Sequence, residues 1–146
     1  MKAIIQRVTS ASVTVDKNVS GKINAGFLVL LGIKSTDTKQ DVDYMVKKLI
    51  NLRIFRDEKD KMNLSLKDVN GELLIVSQFT LYGNASGGNR PSFIEAAKPE
   101  IALPLYEYFI SECKKQIKIV QTGKFGADMK VELLNDGPVT IILESK

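Results

Sequence analysis

The sequence of 146 residues contains no histidine, no tryptophan and a single cysteine. Without histidine no Ser-His-Asp triad, Cys-His dyad or histidine-based zinc or iron site can form, so any hydrolysis must use hydroxyls, carboxylates, amines, backbone groups or the substrate itself. Cys113 excludes an internal disulfide. It continues the apolar helical spacing of Leu105 and Phe109, which indicates a packed core thiol and not a nucleophile. We therefore expect neither a cofactor nor a resident metal.

Long apolar runs are also missing. The longest, Phe27 to Leu31, falls far short of the roughly 20 residues that span a bilayer. Gln6 and Arg7 interrupt the apolar start of the chain too early for a signal peptide. Together with the lone cysteine, which fits a reducing compartment, these absences predict a cytoplasmic protein without a membrane partner.

Composition and length set the class of protein. Hydrophobic residues make up 44% of the chain and charged residues 26%, which is ordinary for a globular protein. The length fits one compact domain covering residues 1–146. A net charge of +4 weakly favours polyanions such as nucleic acid as partners, although no block of five consecutive basic residues occurs. GxGxxG and P-loop patterns are absent, which argues against nucleotide binding of those kinds.

Hydrophobic periodicity predicts clustered strands separated by two main helices. We expect a first helix after the N-cap residues 35–38, a capping box at Ser92 to Glu95 that opens a short helix, and a second long helix from Leu105 to Ile117. Pro99 and Pro104 are interpreted as helix starts. Strands are expected at residues 1–9, 11–16, 22–33, 73–77, 129–133 and 139–143. The expected fold is α+β, with a mixed or antiparallel sheet curled toward a barrel.

The stretch from Leu73 to Gly88 is the first candidate for a functional site. Ser77, Gln78 and Thr80 bring two hydroxyls and an amide to the end of an apolar strand, where buried polar groups must find partners or serve a ligand. A loop with three glycines follows and permits close approach of a ligand. The simpler interpretation is a strand end whose polar side chains bond to neighbouring backbone.

The second candidate is the segment Asn135 to Thr140, with the sequence NDGPVT. Asp-Gly between alternating apolar segments predicts a hairpin turn. The proline that follows is less ordinary, because it removes an N–H at the start of a strand and an X-Pro bond can be cis.

SQFTL at Ser77 to Leu81 and NDGPVT at Asn135 to Thr140, in that order, resemble the signature motifs of the D-aminoacyl-tRNA deacylases. The likeness extends to MKAIIQRVTSASV at the start, to RPSF at Arg90 to Phe93 and to GKFGADM at Gly123 to Met129, so it covers essentially the whole chain. It implies a homodimeric, barrel-like α+β enzyme that hydrolyses the ester joining a D-amino acid to tRNA, with no DNA partner. Cleavage of glycyl-tRNA mischarged on tRNA-Ala is also implied.

The resemblance assigns roles to six residues. Gly137 and Pro138, joined by a cis peptide, would reach from one subunit into the other's pocket and turn their carbonyl oxygens toward the α-carbon and amino group of the substrate. Ser77, Gln78, Phe79 and Thr80 would surround the ester, with the Phe79 N–H directed at its carbonyl. The attacking group is either Thr80 or water assisted by the terminal ribose 2′-hydroxyl. We prefer the second route, because the sequence offers no base to activate a threonine.

Two rival functions stay open at the level of sequence. The mild basic charge and the lack of a standard catalytic triad are compatible with a non-catalytic RNA-binding module. The same fold could also hydrolyse a different ester or amide.

Overall fold

A computed structural model describes all of residues 1–146 and contains eight strands and two helices. In chain order the elements are β1 Lys2–Val15, β2 Asn18–Ile23, β3 Gly26–Gly32, α1 Lys39–Ile50, β4 Phe55–Arg56, β5 Met62–Leu64, β6 Glu72–Ser77, a 3₁₀ turn Phe79–Tyr82, α2 Pro99–Lys114, β7 Val120–Thr122 and β8 Lys130–Glu144. β4 and β5 form a separate two-stranded ribbon.

Strand β1 organises the main sheet. Its first half pairs antiparallel with β3, its second half pairs with β2, and β8 runs antiparallel along its other side. β3 continues the sheet through parallel pairing with β6, and β6 pairs in parallel with β7. The sheet is therefore mixed, as the sequence predicts.

The sheet curls until its two distant strands, β2 and β7, approach each other. The Ser20 hydroxyl donates to the Thr122 carbonyl at 3.1 Å. Glycine is needed next to this contact, because a Cβ at Gly21 would lie 2.7 Å from the same carbonyl oxygen. The enclosed face is filled by a cluster of small and branched apolar side chains: Val8, Ala11, Val13, Ile23, Leu28, Leu74 and Val76. The predicted barrel-like sheet is confirmed.

Both helices cover the outer face of the sheet. Phe27, Val29 and Leu31 of β3 are buried in the larger core with the helices, whereas Leu28 between them belongs to the interior cluster. A strand that alternates between two cores must be apolar at consecutive positions, which explains its sequence. Neither helix is long and apolar enough to cross a membrane.

Helix boundaries agree with the sequence in one case and differ in the other. α1 follows Thr38, whose N–H donates to the Asp41 carboxylate at 2.8 Å. Pro99 begins a helix, as predicted, but α2 runs from Pro99 to Lys114 and not from Leu105 to Ile117, and Pro104 lies inside it. The predicted helix at Ser92 is wrong, because Ser92 forms an isolated bridge with Asn84.

Three strand predictions also need correction. β1 is one continuous strand and not two, and the predicted strand at residues 22–33 is divided between β2 and β3. The Asp-Gly segment does not turn a hairpin. It lies within the single strand β8, which pairs with β1 on both sides of it through shifted registers. A long partner strand therefore outweighed a strong local turn signal.

Candidate active site

The segment Ser77 to Thr80 lies where β6 ends. Ser77 pairs with Leu31 of β3, and the Gln78 N–H donates to the Leu31 carbonyl at 2.8 Å. The chain then enters the 3₁₀ turn, in which the Leu81 N–H bonds back to the Gln78 carbonyl. The N–H groups of Phe79 and Thr80 precede that first bond, so they have no partner within the turn. Two backbone donors are thus held at a rigid strand end.

The side chains of this segment do not bond to backbone, contrary to the simpler interpretation of their polarity. Their one hydrogen bond joins the Gln78 Nε2 donor to the Thr80 hydroxyl oxygen. An amide is not a base, and no carboxylate or amine forms a hydrogen bond with Thr80 in the structure. Thr80 therefore has no group that could remove its proton.

A cavity of about 560 Å³ opens beside Ser77, Gln78 and Phe79. Its other walls are the segment before α2, the first turn of α2 and the loop that precedes β8. Apolar side chains dominate the lining, and the residues beyond the signature segment include Leu31, Ile33, Phe93, Ala97, Lys98, Ala102, Phe125, Met129 and Val131. A cavity of this size, largely apolar with a few polar groups, is typical of a small-molecule or nucleoside site.

Aromatic side chains shape the cavity. The rings of Phe79 and Phe93 meet edge to face, with centroids 5.2 Å apart. The Phe125 ring packs against Tyr106, whose hydroxyl donates to the Ile75 carbonyl of β6 at 2.9 Å. Burial raises the pKa of that hydroxyl. Tyr106 therefore fixes the Phe125 wall relative to the strand that carries Ser77.

The charges at the cavity are few. Lys98 is its one lysine, and it stands just before α2, where its carbonyl accepts from the N–H groups of Ile101 and Ala102. Asp128 is its one carboxylate, and Lys130 pairs with it at 2.9 Å. No group of three or more acidic or cysteine side chains is placed to hold a metal ion.

Gly137 and Pro138 do not line this cavity. Both are exposed on the part of β8 that bulges between its two paired halves, and the peptide bond between them is cis, as the resemblance implies. Gly137 has φ +114°, and a Cβ there would lie 2.8 Å from Nη2 of Arg7. Within one chain the structure brings together Ser77, Gln78 and Phe79 at the cavity, whereas Thr80 and the Gly-Pro pair lie outside its lining.

The base of the Gly-Pro bulge is fixed by two polar side chains. Asn135 Nδ2 donates to the carbonyls of Arg7 and Val139, both at 3.0 Å. Arg7 is buried, donates from Nη1 to the Ile54 carbonyl at 2.6 Å, and places Nε 3.2 Å from the Asp136 carboxylate. The exposed bulge is therefore attached to a rigid base.

A family model described as D-Tyr-tRNA(Tyr) deacylase matches residues 4–144. The chain belongs to this family. Relatives named D-aminoacyl-tRNA deacylase agree with it along nearly their whole length. The protein of Flavobacterium psychrophilum is 56% identical, covering 100% of this chain and 98% of the relative, and that of Fusobacterium nucleatum is 60% identical, covering 100% and 97%.

Two solved structures share the fold of this chain. One named c-Myc DNA Unwinding Element Binding Protein has a TM-score of 0.95 at 46% identity, and covers 100% of this chain and 99% of its own. A probable eukaryotic D-amino acid tRNA deacylase has a TM-score of 0.85 at 17% identity and covers 98% of both chains, which shows the shared fold.

The sequence alone does not identify several residues that shape the cavity and the Gly-Pro bulge. In the sequence Arg7 is only a polar interruption of an apolar segment, although a charged side chain inside an apolar strand is a signal of burial with partners. Phe93, Phe125 and Met129 lay in the motifs of the resemblance, yet no role was assigned to them. These side chains line one cavity because of how α2 packs, and the local sequence does not predict that packing.

Proposed function

We propose that this protein hydrolyses the ester that joins a D-amino acid to the 3′ end of tRNA. The observation that carries the proposal is the cavity beside Ser77, Gln78 and Phe79, where Phe79 follows a strand end and its N–H has no partner within the 3₁₀ turn. Membership of the deacylase family supports the substrate class. The apolar, aromatic lining suits the terminal adenosine and the aminoacyl group.

In the proposed reaction, water attacks the ester carbonyl and the Phe79 N–H stabilises the oxyanion that forms. One well-placed donor of this kind can contribute about 3 kcal/mol to transition-state stabilisation. The attacking water passes a proton to the 2′-oxygen as the 2′-hydroxyl passes its own proton to the 3′-oxygen. The tetrahedral intermediate expels that 3′-oxygen as a hydroxyl, and the acid that forms ionises to the carboxylate. Free tRNA and a D-amino acid are released. The lack of a base beside Thr80 supports assistance by the substrate over attack by threonine.

We assign the Gly137–Pro138 pair to the pocket of a second subunit. The pair is exposed, stands on a rigid base and does not reach the cavity of its own chain. Apolar side chains on the same strand support a covered face, since Leu134 is 60% exposed and Ile142 is 66% exposed. β8 pairs only with β1, and a strand with one free edge and such side chains is suited to association with another copy. The proposed enzyme is thus a homodimer with composite sites.

Chiral selection in this arrangement works by exclusion. The carbonyl oxygens of Gly137 and Pro138 would hold the substrate ammonium while the Phe79 N–H holds the ester. With both ends fixed, a D side chain points to solvent and an L side chain collides with backbone, so no side-chain pocket is needed. Glycine has no side chain to exclude, and we therefore expect some cleavage of glycyl-tRNA, including glycine mischarged on tRNA-Ala.

The test is hydrolysis of matched D-tyrosyl-, L-tyrosyl- and glycyl-tRNA by the purified protein. We expect rapid loss of the D ester, measurable loss of the glycyl ester and persistence of the L ester. Equal rates on the D and L esters contradict selection by exclusion. Loss of none of the three contradicts the enzymatic function.

A second candidate function is nucleic-acid binding without catalysis. The observation in its favour is the likeness to the structure named c-Myc DNA Unwinding Element Binding Protein. A binding module would retain tRNA or DNA in a mobility-shift assay but would leave every ester intact. The deacylase is the better-supported candidate, with tRNA as its partner and the cytoplasm as its location.

A further inference from the structure

A second cavity lies at the opposite end of β6 from the candidate active site. It measures about 740 Å³ and has no part in the proposed reaction. Its lining is polar and basic, with an apolar floor: Leu66, Lys67, Asn70, Gly71, Glu72, Lys115, Gln116, Ile117, Lys118 and Ile119. We call it the basic cleft.

The cleft carries more positive than negative charge. Lys67, Lys115 and Lys118 are exposed at its edges, and its one carboxylate, Glu72, already accepts the Asn24 N–H at 2.7 Å. Lys118 has no ion-pair partner. Lys67 donates to an amide oxygen, that of Gln116, at 2.7 Å and not to a carboxylate. These two ammonium groups can therefore contact an external anion without giving up an ion pair.

The third lysine of the cleft is partly neutralised. Lys115 pairs with Glu112 one turn earlier in α2. Nearby, Asp68 accepts hydrogen bonds from both the N–H and the hydroxyl of Ser65, and the backbone hydrogen bond is the main reason that its pKa lies below the ordinary value. Both carboxylates are thus occupied by groups of the chain itself.

The composition of the lining indicates what class of anion would fit. No aromatic side chain lines the cleft, so bases have nothing on which to stack. The amide side chains of Asn70 and Gln116 can bond to sugar hydroxyls, and the lysines can bond to phosphates. Lysines and amides that meet a sugar-phosphate backbone give binding that is independent of sequence.

The distance between the two cavities suits one nucleic-acid strand. Glu72 begins β6 at the cleft and Ser77 ends it at the active site. At about 3.3 Å per residue, the strand separates them by roughly 16 Å. A stacked strand carries a phosphate about every 3.4 Å, so the separation corresponds to roughly five phosphates. Because Leu73 to Val76 of β6 are buried, the nucleic acid would run over the surface, and a chain whose 3′ end enters the active site needs at least about five nucleotides to reach the cleft.

We infer that the basic cleft binds the phosphodiester backbone of the tRNA whose 3′ end occupies the active site. This inference rests on the proposed function. The cleft contributes affinity for the tRNA body and takes no part in chemistry. Its contribution is electrostatic and falls as salt rises, because cations on the RNA are released when lysines bind.

The test compares the combined variant Lys67→Gln, Lys115→Gln, Lys118→Gln with the unmodified protein. For D-tyrosyl-tRNA we expect KM to rise roughly tenfold or more and kcat to be retained. The slope of log KM against the logarithm of the salt concentration should fall by about two. D-tyrosyl-adenosine, which has no phosphodiester, should be cleaved at the unmodified rate. The matched control is Lys22→Gln, Lys47→Gln, Lys59→Gln, which changes three exposed lysines outside the cleft.

Three results would contradict tRNA binding at the basic cleft. An unchanged KM for the tRNA, or an equal loss on tRNA and on D-tyrosyl-adenosine, overturns the inference, as does an equal effect of the control variant. If the unmodified protein cleaves no ester, the proposed function fails separately. Fluorescence anisotropy with uncharged tRNA then still tests the cleft, and equal affinities of the two lysine variants overturn it.

Discussion

Arg7 lies buried beneath Asp136, with Nε 3.2 Å from the carboxylate of that residue. The N–H of Nε has no hydrogen-bond partner, so the contact is an ion pair and not an aligned hydrogen bond. The other end of the guanidinium is fixed, because Nη1 donates to the Ile54 carbonyl at 2.6 Å. One buried side chain thus connects the Gly137–Pro138 bulge to the segment that follows α1.

Arg7→Met should loosen this bulge while it retains most of the apolar volume of the side chain. We expect the free energy of unfolding to fall by about 1–3 kcal/mol, because the variant loses a buried charged hydrogen bond and the half-exposed Asp136 keeps its access to water. Ester hydrolysis should fall further than the loss of folded protein explains. Urea denaturation and kinetics at full folding separate the two effects. Arg53→Met, at an exposed arginine, is the control; equal losses in both variants contradict the role of Arg7.

Gly137→Ala should damage the same bulge directly. The added Cβ would lie 2.8 Å from Arg7 Nη2 and 2.9 Å from Val139 Cγ2, and the residue has φ +114°, where side chains are strained. A displaced carbonyl at a reacting centre can lower the rate by about 100-fold. We expect a loss of kcat/KM of that order on D-tyrosyl-tRNA. Gly87→Ala, at a glycine whose Cβ would meet nothing within 4 Å, should leave the rate unchanged.

Local sequence predicted the parts of the fold that depend on short-range patterns. The capped start of α1 and the double-sided burial of β3 follow from spacing alone. The hairpin predicted at the Asp-Gly segment is wrong because the local preference for a turn competes with pairing to β1 on both sides. The helix start predicted at Pro104 is wrong for a similar reason. A single missing N–H near the start of α2 is offset by the packing of Leu105, Tyr106 and Phe109 into the core.

The residues of the candidate site differ in the same way in how far the sequence predicts them. Ser77, Gln78 and Thr80 are candidates from the sequence because polar residues at the end of an apolar strand are visible in it, whereas the role of Phe79 comes from the resemblance alone. Arg7 and Phe125 are not candidates, since they reach the bulge and the cavity through contacts distant along the chain. Arg7, for example, contacts Ile54 and Asp136. Only the folded structure places such side chains around a common site.

Thr80→Ala should retain activity within about tenfold of the unmodified protein. The Thr80 oxygen accepts a hydrogen bond from Gln78 and has no base beside it, so the hydroxyl can only contribute positioning. D-tyrosyl-tRNA that ends in 2′-deoxyadenosine should instead be cleaved on the order of 100-fold more slowly, as expected for loss of a proton-transferring group. An inactive Thr80→Ala protein that cleaves the deoxy substrate at the normal rate would establish Thr80 as the nucleophile.

The Cys113 thiol should make stability depend on alkaline pH. Burial, with a smaller effect of the Glu112 charge, raises the pKa of Cys113 from 9.0 to about 12. Between these values the folded chain keeps a proton that the unfolded chain releases. The stabilisation is therefore complete below pH 9 and is lost as the pH rises toward 12. Urea unfolding at pH 8 to 11 should show a shallower decline for Cys113→Ala than for the unmodified protein; parallel curves contradict this account.

Mixing two inactive variants tests whether the site is shared between subunits. Gly137→Ala keeps an intact cavity but has a damaged bulge, whereas Phe79→Pro removes the N–H at the cavity and leaves the bulge intact. If each site combines the cavity of one subunit with the bulge of the other, a mixed dimer contains one site with both parts unmodified. Random exchange in an equal mixture makes half of the dimers mixed, so activity should recover to about a quarter of the unmodified level. Size-exclusion chromatography of each variant confirms that it still dimerises and exchanges. A mixture as inactive as its components would show that each subunit builds its site alone.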